Sequence, residues 1–159
     1  MNNLKFIPLF FSIGVCFLAA AAGSAFTMES INTWYVTLNK PFFNPPNWVF
    51  GPVWTLLYLL MGISLYLVWI TKTGKEKKRQ AITLFFIQLG FNVLWSILFF
   101  GLKSPSAALL GIIVLWMAII LTIRNFLGVS KLAAWLLIPY LAWVSFATIL
   151  NLSIFLLNR

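Results

Sequence analysis

The sequence predicts an all-α integral membrane protein, a single domain made of one bundle of five transmembrane helices. Three observations predict it. Hydrophobic residues make up 62% of the 159 residues and charged residues only 8%, with a mean hydropathy of +1.00. A soluble domain has about 25% charged residues, so this chain lacks the polar surface to cover a water-soluble globule, and the same composition excludes disorder. The charges fall between long uncharged runs at 6–28, 41–71, 80–102, 104–123 and 132–158. A spanning helix needs about 20 apolar residues. The runs are continuous and do not alternate, which excludes a membrane β-barrel.

The spans predicted from these runs are 5–27, 47–71, 80–101, 105–125 and 131–157. The first has a rival. Lys5, an apolar core and the stretch Ala19-Ala20-Ala21-Ala22-Gly23-Ser24-Ala25 resemble a signal peptide, although the run is long for that. Ala19 and Gly23 also form a small-xxx-small pair, which suits either a dimer face or close packing within the bundle. The second run is too long for one span. Pro41, Pro45 and Pro46 make its start a loop, and proline lacks the donor a helix interior needs. Asn47 is the expected N-cap, and Pro52 lies near the first turn, where a missing N–H costs little. Residues 28–46 are then the one long connection, and long connections are often lids or binding loops.

Five spans put Lys5, Lys72, Lys75, Lys77, Lys78, Arg79, Arg124 and Lys131 on one side, against Lys40, Lys103 and Arg159 on the other. The positive-inside rule places the N-terminus in the cytoplasm and the C-terminus and the 28–46 loop outside. The net charge of +9 is thus read as topology and not as a nucleic-acid surface. The run Lys72–Arg79 would also attract anionic membrane lipid.

The residues of the uncharged runs narrow the chemistry. With no His and one Cys, Cys16, the chain has no internal disulfide, no His- or Cys-based metal site and no Ser-His-Asp triad. No metal or cofactor is expected. The runs hold no Asp, Glu, Lys or Arg, which argues against proton relays and charge-coupled transport. Cys16 reads as a small buried hydrophobe.

What the helices do offer is aromatic and neutral polar. Trp54, Tyr58, Gly62 and Tyr66 follow at four-residue spacing on the second helix. Gln88, Asn92 and Ser96 do so on the third, flanked by Trp95 and Phe99. Trp143, Ala147 and Asn151 do so on the fifth, one turn after Pro139 and Tyr140. Such spacing puts each set near one face. Each residue taken singly also fits interhelical hydrogen bonding or an interfacial aromatic belt. Together they suit a cleft for a flat, apolar ligand, because Trp54 and Trp143 should lie near the same outward end.

Three blocks carry a resemblance. They are Lys40-Pro41-Phe42-Phe43-Asn44-Pro45-Pro46-Asn47-Trp48-Val49-Phe50-Gly51-Pro52-Val53-Trp54, then Asn92-Val93-Leu94-Trp95-Ser96-Ile97-Leu98-Phe99-Phe100-Gly101, then Pro139-Tyr140-Leu141-Ala142-Trp143-Val144-Ser145-Phe146-Ala147-Thr148. With Trp34-Tyr35, the chain resembles the tryptophan-rich sensory protein and translocator protein family over nearly its whole length. The resemblance favours keeping the first segment as a helix. It implies a homodimer with a pocket open toward the first loop, binding porphyrins such as protoporphyrin IX, sterols, isoquinoline carboxamides and benzodiazepines. Carried over, the pocket takes Trp34 and Tyr35 from the loop and Pro45, Trp54 and Tyr58 from the second helix. It takes Gln88, Asn92 and Trp95 from the third and Trp143 and Ala147 from the fifth. Some bacterial members degrade protoporphyrin IX in light through two pocket tryptophans, and the matching positions are Trp54 and Trp143. A sterol motif late in the fifth helix of animal members is broken here, since Leu152 replaces its Tyr and no basic residue follows until Arg159. A bacterial cell membrane is therefore expected. The leading function is a tetrapyrrole receptor of sensor type. The alternatives are a light-dependent porphyrin-degrading enzyme and a tetrapyrrole or lipid transporter, the last lacking the usual inverted repeat.

Overall fold

A computed structural model describes residues 6–159. Lys5, counted above among the topology charges, lies outside the described residues. The elements are α1 (Phe6–Ile31), a 3₁₀ turn (Tyr35–Thr37), α2 (Asn47–Ile70), α3 (Lys75–Ser96) continued by a π-helical turn (Ile97–Gly101), α4 (Pro105–Leu127), α5 (Lys131–Leu136) and α6 (Ile138–Leu157). Five helical segments are long and apolar enough to cross a membrane, α5 and α6 counting as one. The described residues contain no strand.

Several boundaries differ from the sequence expectation, each for a local reason. The first helix runs a turn further, to Ile31 instead of 27. The hydroxyls of Ser24 and Thr27 donate to the carbonyls of Ala21 and Gly23, so they do not break the helix. Ser30 Oγ then ties the end of α1 to the Phe100 carbonyl, 2.7 Å away in the π-helical turn. The connection shortens to 32–46. Pro46, not Asn47, holds the N-cap position of α2, with no side-chain cap. The basic run expected to be a loop starts α3 at Lys75, where Glu76 pairs with Arg79 at 3.0 Å and Lys78 Nζ donates to the Trp69 carbonyl that ends α2. The fifth span is not one helix. It breaks at Leu137 because Pro139 has no N–H to give the preceding turn.

Hydrocarbon gives helices no hydrophobic reason to associate, so close packing carries the bundle. A Cβ on Gly62 would lie 2.7 Å from the Ile13 Cα, so glycine is what lets α1 and α2 touch there. Gly23 meets Ser96 of α3 in the same way, at 3.1 Å from its Oγ, which assigns the Ala19–Gly23 pair to packing inside the bundle. α1 is thus an integral wall of the fold. Cys16 is fully buried in the larger core cluster with Met61, Leu65, Phe85 and Phe126, and the Phe85 and Phe126 rings stack 5.9 Å apart. A smaller cluster of Tyr35, Phe99, Phe100, Leu150 and Ile154 closes the other end, under the loop.

Candidate ligand-binding cavity

Between the two clusters lies a cavity of about 540 Å³, walled by α1, α2, the end of α3, α6 and the loop. Tyr35, Trp54, Tyr58, Trp95, Trp143 and Ala147 all line it, joined by Phe99 and Asn151. Trp54 and Trp143 therefore share one hollow. Among the described residues no Asp, Glu, Lys or Arg lines it.

The rings are held by one another and by buried polar groups. Trp54 and Tyr58, one turn apart on α2, have centroids 5.5 Å apart. Trp143 is braced by Phe146 at 5.5 Å and, edge-on, by Phe50 at 6.0 Å. Trp95 stacks on Phe99 at 5.6 Å and donates from Nε1 to Asn151 Oδ1 at 3.2 Å, while Asn151 Nδ2 donates to the Pro105 carbonyl. Tyr58 donates its hydroxyl proton to Asn92 Oδ1 at 2.5 Å, and Asn92 Nδ2 donates to the Tyr140 hydroxyl at 2.9 Å. Buried hydrogen-bonded pairs of this kind fix ring orientation.

Four expected site residues do not line the cavity. Asn92 stands behind Tyr58 as its partner, not as a wall. Gln88 lies one turn further from the cavity, 1% exposed, and neither of its amide atoms has a protein partner. Trp34 packs edge-on against the outside of Phe99, 5.6 Å away. Pro45 belongs to the loop, not to α2, and its carbonyl accepts from Asn44 Nδ2. The i, i+4 stripe also runs past the site: Gly62 meets α1, and Tyr66 does not line the cavity.

The wall that the stripes missed is α1, with Ala20, Gly23, Ser24 and Thr27 along the cavity. Its signal was in the sequence, in small residues at three- and four-residue spacing, but that pattern also suits a signal peptide or a helix contact. Phe50, Gly51 and Thr55 of α2 were also missed, because they sit on the flank of the Trp54–Tyr58 stripe.

The loop covers the smaller cluster. Tyr35 is 3% exposed, and its hydroxyl donates to Asn44 Oδ1 at 2.7 Å. Burial pushes the Tyr35 phenol up to about 12, only partly offset by the bond to Asn44. Lys40 places its ammonium 4.9 Å from the centre of the Tyr35 ring and donates to the Leu38 carbonyl.

Fold and cavity define a class: a helical membrane protein built around a charge-free aromatic hollow. The model of the TspO/MBR family matches residues 12–157, and the chain belongs to that family. It is 51% identical to the tryptophan-rich protein TspO of Archaeoglobus fulgidus over 158 residues, 99% of each chain. It is 39% identical to the tryptophan-rich sensory protein of Cereibacter sphaeroides over 144 residues, 89% of each. It is 42% identical to the human translocator protein over 135 residues, 84% of this chain and 80% of that one. The chain is an integral membrane protein.

Proposed function

We propose that this protein is a receptor of sensor type that binds tetrapyrroles, protoporphyrin IX above all, inside the bundle. One observation carries the reading: Trp54, Trp95 and Trp143 surround a hollow of about 540 Å³ with no charged wall. That volume falls within the range of about 300–1,000 Å³ typical of small-molecule sites, and indole faces suit a flat macrocycle. Trp54, Tyr58, Trp95, Trp143, Ala147 and Tyr35 make the contacts. Asn92 positions Tyr58, while Trp34 and Pro45 support the loop. Titration of the purified protein with protoporphyrin IX should quench tryptophan emission saturably. Quenching no stronger than that of an unrelated tryptophan-rich membrane protein overturns the reading.

Light-dependent porphyrin degradation is favoured by the presence of Trp54 and Trp143 in the lining of the same cavity, each an oxidisable indole beside the ligand. Loss of the photoproduct in Trp54→Phe or Trp143→Phe, with binding retained, is the expected result. Unchanged turnover in both excludes that role. The Lys72–Arg79 end is taken as cytoplasmic, with the loop and the C-terminus outside, and the assembly as a homodimer. Protease protection in oriented vesicles and cross-linking in native membranes test these.

A further inference from the structure

We infer that the cavity exchanges its ligand with the bilayer through a slot between α1 and α2, and not with water beneath the loop. The inference rests on reading the cavity as a ligand site, and it narrows the ligand class to flat amphiphiles dissolved in the loop-side leaflet. Three observations carry it.

First, the exposed residues among those lining the cavity all belong to α1 and α2, including Ala21, Ser24 and Met28 on one rim and Gly51 and Thr55 on the other. The lining residues of α3, α6 and the loop are buried or half-buried. Both rims lie within membrane-crossing helices, so the opening faces acyl chains.

Second, the rims are built to pass an apolar plane. Gly51 has open space where a Cβ would sit. Ser24 Oγ donates to the Ala21 carbonyl at 3.0 Å and Thr55 Oγ1 to the Gly51 carbonyl at 2.9 Å. Each hydroxyl proton is thus spent on its own helix, and neither rim carries a free donor from these side chains into hydrocarbon.

Third, the loop is fastened down over the water-facing end, where Asn47 at the start of α2 is the exposed lining residue. Asn158 Nδ2 donates to the Asn39 carbonyl at 2.9 Å, and the Asn39 backbone N–H donates back to Asn158 Oδ1 at 2.9 Å. This reciprocal clasp holds the loop to the end of α6. Beneath it Tyr35 seats its ring against Phe99 and Phe100, at 6.1 and 5.9 Å. A porphyrin entering ring first through the slot leaves its carboxylate edge at the headgroup level, where no charge need be buried.

The test is stopped-flow tryptophan quenching by protoporphyrin IX in lipid nanodiscs. Gly51→Leu and Ser24→Leu, which narrow opposite rims, should each slow association and dissociation together by about tenfold or more. Asn158→Ala, which frees the loop, should change neither rate. The inference is overturned if the rim variants bind at the wild-type rate, or if Asn158→Ala accelerates exchange. If wild-type protein shows no saturable quenching, the tetrapyrrole reading falls instead. The slot is then read with lipids brominated on their acyl chains. They should quench a component of the emission that disappears in Trp143→Phe and shrinks in Gly51→Leu, and absence of that component overturns the slot.

Discussion

The two halves of the bundle use the same helices to opposite ends. Toward the Lys72–Arg79 end, α1 and α2 press together at Gly62, and Met61, Leu65, Val68, Phe85 and Phe126 are all fully buried. Toward the loop end, the helices are held apart by rings. Trp54, Trp95 and Trp143 stand on α2, α3 and α6 and face small residues of α1, which leaves the hollow. Buried apolar side chains around a glycine contact pack closely there. Stiff aromatic plates braced by hydrogen bonds do not collapse onto alanine and serine. One half supplies stability, and the other holds space open at some cost to it.

The sharpest way to break this contrast is to overfill the tight half. Gly62→Leu puts side-chain atoms where the Ile13 backbone already lies, and it should cost about 3 kcal/mol, read as a lower melting temperature in detergent. Gly51→Ala in the loop half meets nothing within 4 Å and should change stability by less than about 0.5 kcal/mol. Equal effects at the two glycines erase the distinction.

A smaller effect is expected at the border between the halves. Asn92→Ala strips the Tyr58 and Tyr140 hydroxyls of their shared partner and should cost about 2 kcal/mol. It should also loosen the Tyr58 ring and weaken porphyrin binding. Gln88→Leu, one turn away on the same stripe, should be neutral or stabilising by about 1 kcal/mol, because both amide atoms already lack protein partners. Binding unchanged in Gln88→Leu but weakened in Asn92→Ala places the border of the site between these two residues.

The smallest effect concerns the loop. Tyr35 is held neutral by burial, its phenol raised from 10.0 to about 12. Its contribution to loop seating is complete below pH 10 and is lost as the pH rises through about 12, where the buried phenolate must form. An absorbance titration should lose its step near pH 12 in Tyr35→Phe, and an unchanged step there would remove the assignment.

The five crossings were legible because an uncharged run of about 20 residues in hydrocarbon has only one way to satisfy its backbone. Trp54, Tyr58, Trp95, Trp143 and Ala147 were legible as cavity residues because helical periodicity puts each set on one face. Periodicity does not say how far along a stripe the hollow extends. Gln88 and Trp95 therefore looked alike in the sequence, although one is walled in and the other faces the cavity. The role of α1 was hidden because small residues carry no chemistry of their own, and their meaning comes from what they face.

By itself, then, the chain determined its solvent, its number of crossings and the faces that carry its rings, since those follow from composition and from 3.6 residues per turn. Only the tertiary structure decided that the rings meet across a void, that α1 supplies the missing wall and that Asn39 and Asn158 fasten the loop over the far end. Those are distances between segments remote in sequence. They are set by how closely a glycine such as Gly62 lets two helices approach, and no pattern along a single helix encodes that.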